Sequence, residues 1–199
     1  MTKLFKVTAV FTALFGILSC NEIEQPQIQN AKPEKSMVST RAFNQKTPKM
    51  AVYVETNDVN PLNAGDYTMS DGTSFIDIVE LFAANIHKDG NGNPTLYLND
   101  KLTNVLENGG AATYVAPLQA KGIKVLLTIL GDWQGIGVAN MTDEQSTQFA
   151  AILAYAVNRY GLDGVGFDDE YANYSGSLVS DSFAKIIKKL HALMPSDKL

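Results

Sequence analysis

From Ala51 onward the chain alternates short runs of apolar and β-branched residues with longer stretches in which apolar positions recur at helical spacing. Ala51 to Glu55, Val79 to Asn85 and Ile123 to Ile129 are runs of the first kind, each closed by polar or glycine-bearing positions, and they predict buried strands. Thr113 to Ala120 and Asp143 to Tyr160 are of the second kind, the latter with Thr142 or Asp143 as an N-cap and Gly161 as its stop. Gly164 to Glu170 predicts a fourth strand. Ser180 to Leu193 predicts a further helix with Phe183, Ile186, Ile187 and Leu190 on one face. Gly90 to Leu98 reads as a turn and a short hairpin arm, inserted after the second strand where it can rim a site. The order β, β, α, β, α, β, α predicts an α/β fold, a parallel sheet with helices outside it, doubly wound or closed as a barrel.

The segment before Ala51 follows neither pattern. Lys3 and Lys6 flank the start of an apolar run, Val7 to Leu18, of the length of a secretory h-region and short for a bilayer span. It ends Ile17-Leu18-Ser19-Cys20, which resembles the lipobox of bacterial lipoproteins, where cleavage precedes the cysteine and the cysteine is acylated. An ordinary signal peptide in which Cys20 happens to fall is the alternative. Residues 21–48 are rich in Gln, Asn, Glu, Lys and Pro with no period, as in a flexible tether. The expected organisation is a lipoprotein signal peptide over 1–19, a flexible acylated linker over 20–49 and one folded domain over 50–199. Several acyl chains on Cys20 exceed what stable attachment needs, so the protein is expected in the bacterial envelope, held at the outer membrane or cell surface by lipid alone, or secreted.

Composition narrows the partners. Hydrophobic residues make up 45% and charged residues 19% of the 199, which fits neither a disordered chain nor a multi-span membrane protein. A net charge of -5 gives no basic stripe for a phosphate backbone, so no nucleic-acid partner is expected. Cys20 is the single cysteine, which excludes an intrachain disulfide and a Cys-rich zinc site. His87 and His191 lack paired-ligand spacing, so no metal role is expected and surface positions suffice for both.

The chemistry concentrates at Asp163 to Tyr171. If the strand continues to Glu170, Gly166, Asp168 and Glu170 share one face, and Val165, Phe167 and Asp169 the other. Carboxylates at i and i+2 lie roughly 7 Å apart at Cα, near enough for one to raise the other's pKa and keep an acid protonated near neutrality. The same run of acids also fits an N-cap cluster, a solvated turn or a hard-cation site, and spacing alone leaves these open.

The string Leu162-Asp163-Gly164-Val165-Gly166-Phe167-Asp168-Asp169-Glu170-Tyr171 resembles the Asp-Gly-x-Asp-x-Asp-x-Glu signature of glycoside hydrolase family 18. Its end is similar to the branch of bacterial endo-β-N-acetylglucosaminidases of the H and F type. Val52 to Glu55, Leu62, Asn63, Tyr67, Thr68, Phe82 to Ile86, Gly122 to Leu127, Leu130, Gly131, Gln134, Gly135, Ala139, Asn140 and Tyr160 to Gly164 also resemble that branch, so the likeness runs from Ala51 to Pro195. It implies a (β/α)8 TIM barrel that hydrolyses the GlcNAc-β-1,4-GlcNAc core bond of N-linked glycans with retention, the substrate assisting in place of an enzyme nucleophile. Glu170 matches the proton donor, which returns as base for the attacking water. Asp168 matches the residue that orients the 2-acetamido group and stabilises an oxazolinium-like intermediate. The implied partner is an N-linked glycan or glycoprotein, with no cofactor and a monomeric enzyme.

The chain departs from this pattern twice. Gly166 stands where many family members carry the middle Asp, which removes a charge that would couple to Asp168. A full barrel takes about 250 residues, whereas Ala51 to Leu199 supplies about 150 and about four of the eight strands, so a truncated frame or fragment is expected, with an unpaired edge and an uncovered apolar face. The family's later-strand tyrosine has no position here. Trp133, the only tryptophan, lies in a loop after a strand and is a candidate for stacking on sugar or for packing. Glu55 and Asn85 end strands at the same face and are candidates for glycan hydrogen bonds or for satisfying local backbone. Two other functions fit the residues: a surface glycan-binding lipoprotein or inactive fragment without turnover, and a metal-dependent phosphoesterase using Asp168, Asp169 and Glu170. The pleat disfavours the last by turning Asp169 away.

Overall fold

A computed structural model describes residues 48–199; the expected signal peptide, Cys20 and the expected linker through residue 47 lie outside the described residues. The elements in order are β1 (Ala51–Glu55), a 3₁₀ turn (Pro61–Asp66), β2 (Ile78–Lys88), β3 (Pro94–Tyr97), α1 (Asp100–Leu106), α2 (Gly110–Ala120), β4 (Lys124–Leu130), α3 (Asp143–Tyr160), β5 (Gly164–Asp168) and α4 (Ser182–Leu193). The parallel strands pair in the order β1-β2-β4-β5, and β3 folds back antiparallel on β2 as the expected hairpin arm. This is the α/β alternation of a partial barrel, not closed. Among the described residues no helix is long and apolar enough to cross a membrane.

The outer face of the sheet carries the apolar load. Val79, Leu81, Val125, Leu127 and Ile129 are buried there against the helices, as the continuous apolar runs require of strands covered on that side. From α3 come Phe149, Leu153, Ala156, Val157 and Tyr160, spaced to form one stripe. Its start is a capping box, in which the Gln145 N–H donates to Thr142 Oγ1 at 3.2 Å and the Thr142 N–H to Gln145 Oε1 at 2.9 Å. Its end is Gly161 in the left-handed region, φ 64°. On α4, Ile186 and Leu190 are buried as expected, but Phe183 stays exposed with its ring edge-on to Phe167 at 5.1 Å.

Helix α1 is absent from the sequence reading. Its apolar residues Leu102, Val105 and Leu106 do follow helical spacing, and Asn99 caps it by accepting from the Leu102 N–H at 2.9 Å. The helix is only two turns long and its surroundings, Asn104 and Asn108 to Gly110, read as loop. The turn at Asn108 and Gly109 has positive φ at both residues and admits Gly110 with no space for a Cβ beside Val105. Strand β2 is longer than expected because His87 and Lys88 continue its pairing with β3.

Register is pinned at the lower end of the sheet by one device used twice. Asp77 immediately precedes β2, and its Oδ2 accepts the Met50 N–H at 2.8 Å, with Lys49 Nζ 3.8 Å from Oδ1. Asp163 immediately precedes β5, and its Oδ2 accepts the Val125 N–H at 2.9 Å and Gln119 Nε2 at 2.8 Å, with Lys124 Nζ 3.0 Å from Oδ1. Both acids are buried, and both sit one step ahead of a paired residue, Ala51↔Ile78 and Leu126↔Gly164. The first Asp of the motif is therefore a structural clasp at the opposite end of β5 from Asp168.

The expected open edge is partly closed. Leu199 lies along the free side of β5, its N–H donating to the Asp163 carbonyl at 2.8 Å and its carbonyl accepting from the Val165 N–H at 3.3 Å. Gly164 permits this approach, since a Cβ there would fall 2.7 Å from the Leu199 carbonyl carbon. The inner face is likewise less bare than expected: Leu126 and Thr128 are buried, while Tyr53 of β1 is exposed.

Replacing Asp163 by Ala leaves the buried Val125 N–H and the Lys124 ammonium without their acceptor, and the expected loss of unfolding free energy is about 2–4 kcal/mol. Asp66→Ala breaks only the exposed pair with Lys121 and is expected to cost less than about 1 kcal/mol. Urea midpoints of the two variants check this ordering; equal midpoints would show that Asp163 does not clasp the strands.

Candidate active site

The site is built where β5 ends. Within β5, Val165 and Phe167 face the helices, so Gly166 and Asp168 face inward, Asp168 opposite Leu130 of β4. The strand stops at Asp168 rather than at Glu170, so strand alternation does not orient Glu170; its direction is set by the segment that follows. Asp168 is half-buried and Glu170 is exposed.

Residues 169–175 are bound to the loop after β4, residues 131–140. The Trp133 N–H donates to the Tyr171 carbonyl at 2.6 Å, the Gly135 N–H to the Ala172 carbonyl at 2.9 Å, and the Ser175 N–H to the Gly135 carbonyl at 3.4 Å. Gly131 makes this approach possible: a Cβ there would lie 2.5 Å from the Ala172 nitrogen and would run into the Glu170 carbonyl. Trp133 and Tyr171 both adopt positive φ, 56° and 55°, which bulky residues rarely do and which here coincides with the site. Their rings meet at 5.6 Å with a tilt of 38°, and both stand largely in solvent, 64% and 52% exposed. Asp168, Glu170 and Trp133 are thus brought to one end of the sheet, with Tyr171 added. Periodicity gave no sign of Tyr171; its only signal was adjacency to Glu170.

Asp169 does turn to other work. Its carboxylate accepts the Tyr174 hydroxyl at 2.5 Å, and the Tyr174 oxygen accepts the Ala139 N–H at 3.0 Å, which ties the strand end to the preceding loop. Burial first, and the hydrogen bond to Asp169 next, push the Tyr174 phenol well above its ordinary ionisation range, so it remains a donor. Among the described residues no three His, Cys, Asp or Glu side chains come together as a group that could hold a metal ion.

The weaker candidates are placed apart. Asn85 does not end a strand: it lies within β2, and its side-chain nitrogen donates to the Gly131 carbonyl at 3.2 Å, supporting the Trp133 loop. A register shift between Leu81 and Ala84 inserts one extra residue in β2, which turns Asn85 to the same face as Glu80 although they are five positions apart. Glu55, at the end of β1, is exposed and accepts from Asn57 Nδ2 at 2.6 Å. His191 is exposed on α4, and His87 is half-buried: its Nε2 lies 2.8 Å from Asp132 and its ring stacks on Tyr97 at 4.4 Å.

One residue of the site escaped the sequence reading. Glu80, inside the apolar run of β2, is 7% exposed and accepts the Thr128 hydroxyl at 2.9 Å. Burial pushes its carboxyl up from the usual range, and the Thr128 hydrogen bond opposes this in part. A Cβ at Gly166 would fall 2.7 Å from Glu80 Oε1 and closer still to Oε2. The position expected to lack a carboxyl because residue 166 is glycine is therefore filled by a carboxyl from another strand.

No family model matches the sequence. Curated relatives do, among them these two. An endo-β-N-acetylglucosaminidase of Flavobacterium sp. (strain SK1022) is 44% identical over 128 residues, covering 64% of this chain and 40% of the relative. Endo-β-N-acetylglucosaminidase F1 of Elizabethkingia meningoseptica is 41% identical over 128 residues, covering 63% and 37%. The chain thus spans about two fifths of the length of the curated relatives it matches. Among solved structures, EndoBT-3987 of Bacteroides thetaiotamicron in complex with Man9GlcNAc2Asn superposes with a TM-score of 0.72 at 32% identity, over 79% of this chain and 41% of that one. A fungal endo-β-N-acetylglucosaminidase of glycosyl hydrolase family 18 shares the fold alone, with a TM-score of 0.55 at 16% identity over 77% of this chain and 53% of that one. In sequence and in fold the chain is thus similar to a part of these endo-β-N-acetylglucosaminidases, about two fifths of their length.

Proposed function

We propose that this chain carries the acid and the acetamido-orienting residue of an endo-β-N-acetylglucosaminidase, which hydrolyses the GlcNAc-β-1,4-GlcNAc core bond of N-linked glycans with retention. The observation that carries the reading is the inward-facing Asp168 at the end of β5, with Glu170 two residues on and an exposed aromatic pair beside them. The names of the curated relatives and the Man9GlcNAc2Asn substrate in the EndoBT-3987 complex support the choice of glycan.

In this reading Glu170, exposed to solvent, gives its proton to the leaving glycosidic oxygen and then takes one from the attacking water. Asp168 holds the 2-acetamido group so that its carbonyl oxygen attacks the anomeric carbon, and its charge stabilises the positive oxazolinium-like intermediate. The Trp133 and Tyr171 rings offer an apolar face to a sugar ring. Asp169, engaged with Tyr174, acts by fixing the strand end. Acylation of Cys20 would hold a monomeric domain at the bacterial envelope, facing glycoproteins in water.

The residues from Cys20 to Leu199 without the acyl group, and a form extended through any downstream reading frame, are to be incubated with a high-mannose glycoprotein and analysed by mass spectrometry. The expected product retains one N-acetylglucosamine on asparagine, and Glu170→Gln lowers its rate by about 10²-fold or more. Glycan capture without product, unchanged by Glu170→Gln, would instead make the protein a glycan-binding lipoprotein.

Trp133→Ala removes a ring that is 64% exposed, so the fold is expected to keep its stability while glycan affinity falls about tenfold. Calorimetric titration with a chitobiose-core glycan, beside a melting curve, separates sugar stacking from packing.

A further inference from the structure

The inner face of the sheet gathers residues from four strands: Tyr53 and Glu55 from β1, Glu80 and Phe82 from β2, Leu126, Thr128 and Leu130 from β4, and Gly166 and Asp168 from β5. Glu80 is the buried acid on this face, and the mechanism above leaves it unused. Three strands close around its carboxyl. Thr128 stands opposite Gly166 in register and donates its hydroxyl to Glu80 Oε2 at 2.9 Å, while Oε1 lies 2.7 Å from where a Cβ of residue 166 would be. A side chain at 166 would share the face of Asp168 one pleat period away, about 7 Å between Cα atoms. The Glu80 carboxyl therefore occupies, from across the sheet, the place of a neighbour to Asp168 on its own strand.

Burial raises the Glu80 carboxyl toward its protonated form, and the Thr128 hydroxyl opposes this in part. On the same face stand Tyr53 and Glu55 from β1, Asp168 from β5, and Lys124, Leu126, Thr128 and Leu130 from β4. Lys124, at the lower end of β4, is held by Asp163 at 3.0 Å. A buried carboxyl on a face whose lysine is already held by another acid retains its proton more readily than an exposed one.

We propose that Glu80 is a positioning residue for Asp168: the two carboxyls form a coupled pair across Gly166, in which Glu80 holds the proton and Asp168 the charge. Its consequence for catalysis rests on the endoglycosidase reading, whereas the pair itself does not. With Glu80 neutral, Asp168 carries the negative charge that meets the oxazolinium-like intermediate. Once Glu80 also ionises, two adjacent charges repel and disturb that placement.

The test is a ¹³C NMR titration of the side-chain carboxyls in the full chain, wild type, Glu80→Gln and Thr128→Val, run beside the pH profile of glycan hydrolysis. Gln keeps the volume of Glu80 and an acceptor for the Thr128 hydroxyl. In the wild type the Asp168 curve is expected to bend a second time where Glu80 titrates. Glu80→Gln abolishes the second bend, and Thr128→Val, which removes a donor that favours the ionised form, moves it to higher pH. Across that bend the wild-type kcat falls more steeply than that of Glu80→Gln, which keeps only the alkaline limb set by Glu170, with KM alike in both. A single-step Asp168 curve, identical in wild type and Glu80→Gln, overturns the proposal, as does one that Thr128→Val leaves in place. Coupling observed in a chain that releases no product supports the pair and fails the endoglycosidase reading instead.

Discussion

The register between β4 and β5 is the constraint on which the site depends. Side chains alternate faces along a strand, so a slip of one residue would send Asp168 toward the helices and bring Phe167 inward. Asp163 prevents the slip by holding the Val125 N–H, Gln119 and Lys124 with one carboxylate at the foot of the two strands. Asp77 does the same between β1 and β2 through Met50. Both acids are buried, and the Val125 N–H that Asp163 accepts is buried with it and costly to leave unpaired, so each acid specifies alignment as well as contributing stability.

At the other end of the sheet the physics is different. There the chain gives up regular pairing and binds two loops to each other, with glycine at 131 allowing backbone contact and positive φ tolerated at Trp133 and Tyr171. The outcome is a pair of exposed rings and two acids on a backbone fastened by hydrogen bonds from Trp133, Gly135, Tyr174 and Asn85. Stability at the foot and chemistry at the top is the division expected of barrels that carry their sites at the C-terminal ends of parallel strands.

Glu80 joins these two regions. It rises from the apolar middle of β2, and its carboxyl fits beneath the site because residue 166 has no side chain and Thr128 offers a hydroxyl. Glycine at 166 and glutamate at 80 are thus one packing decision: a Cβ at the first would displace the carboxyl of the second.

Much of the fold was legible in the chain because β1, β4, α3 and the hairpin arm are specified locally, by β-rich runs, a capping box at Thr142 and Gln145, and a glycine stop at Gly161. The acidic string at Asp168 to Glu170 was legible too, as was the likeness it carries. Helix α1 was not, since a two-turn helix among asparagines and glycines has too little periodicity to stand out from loop. Nor did sequence spacing separate the four acids of the motif region. Asp163 became a clasp and Asp169 a support for Tyr174, while Asp168 and Glu170 remained at the site, because their partners lie on other strands and loops. The same holds for Glu80 and for the exchange of Asn85 onto the inner face by the irregularity in β2. By itself the sequence determined which segments become strands and helices, since those preferences act over a few neighbouring residues. Only the tertiary structure decided which carboxylates gather at the strand ends and which hold the sheet, since that depends on contacts between residues tens of positions apart.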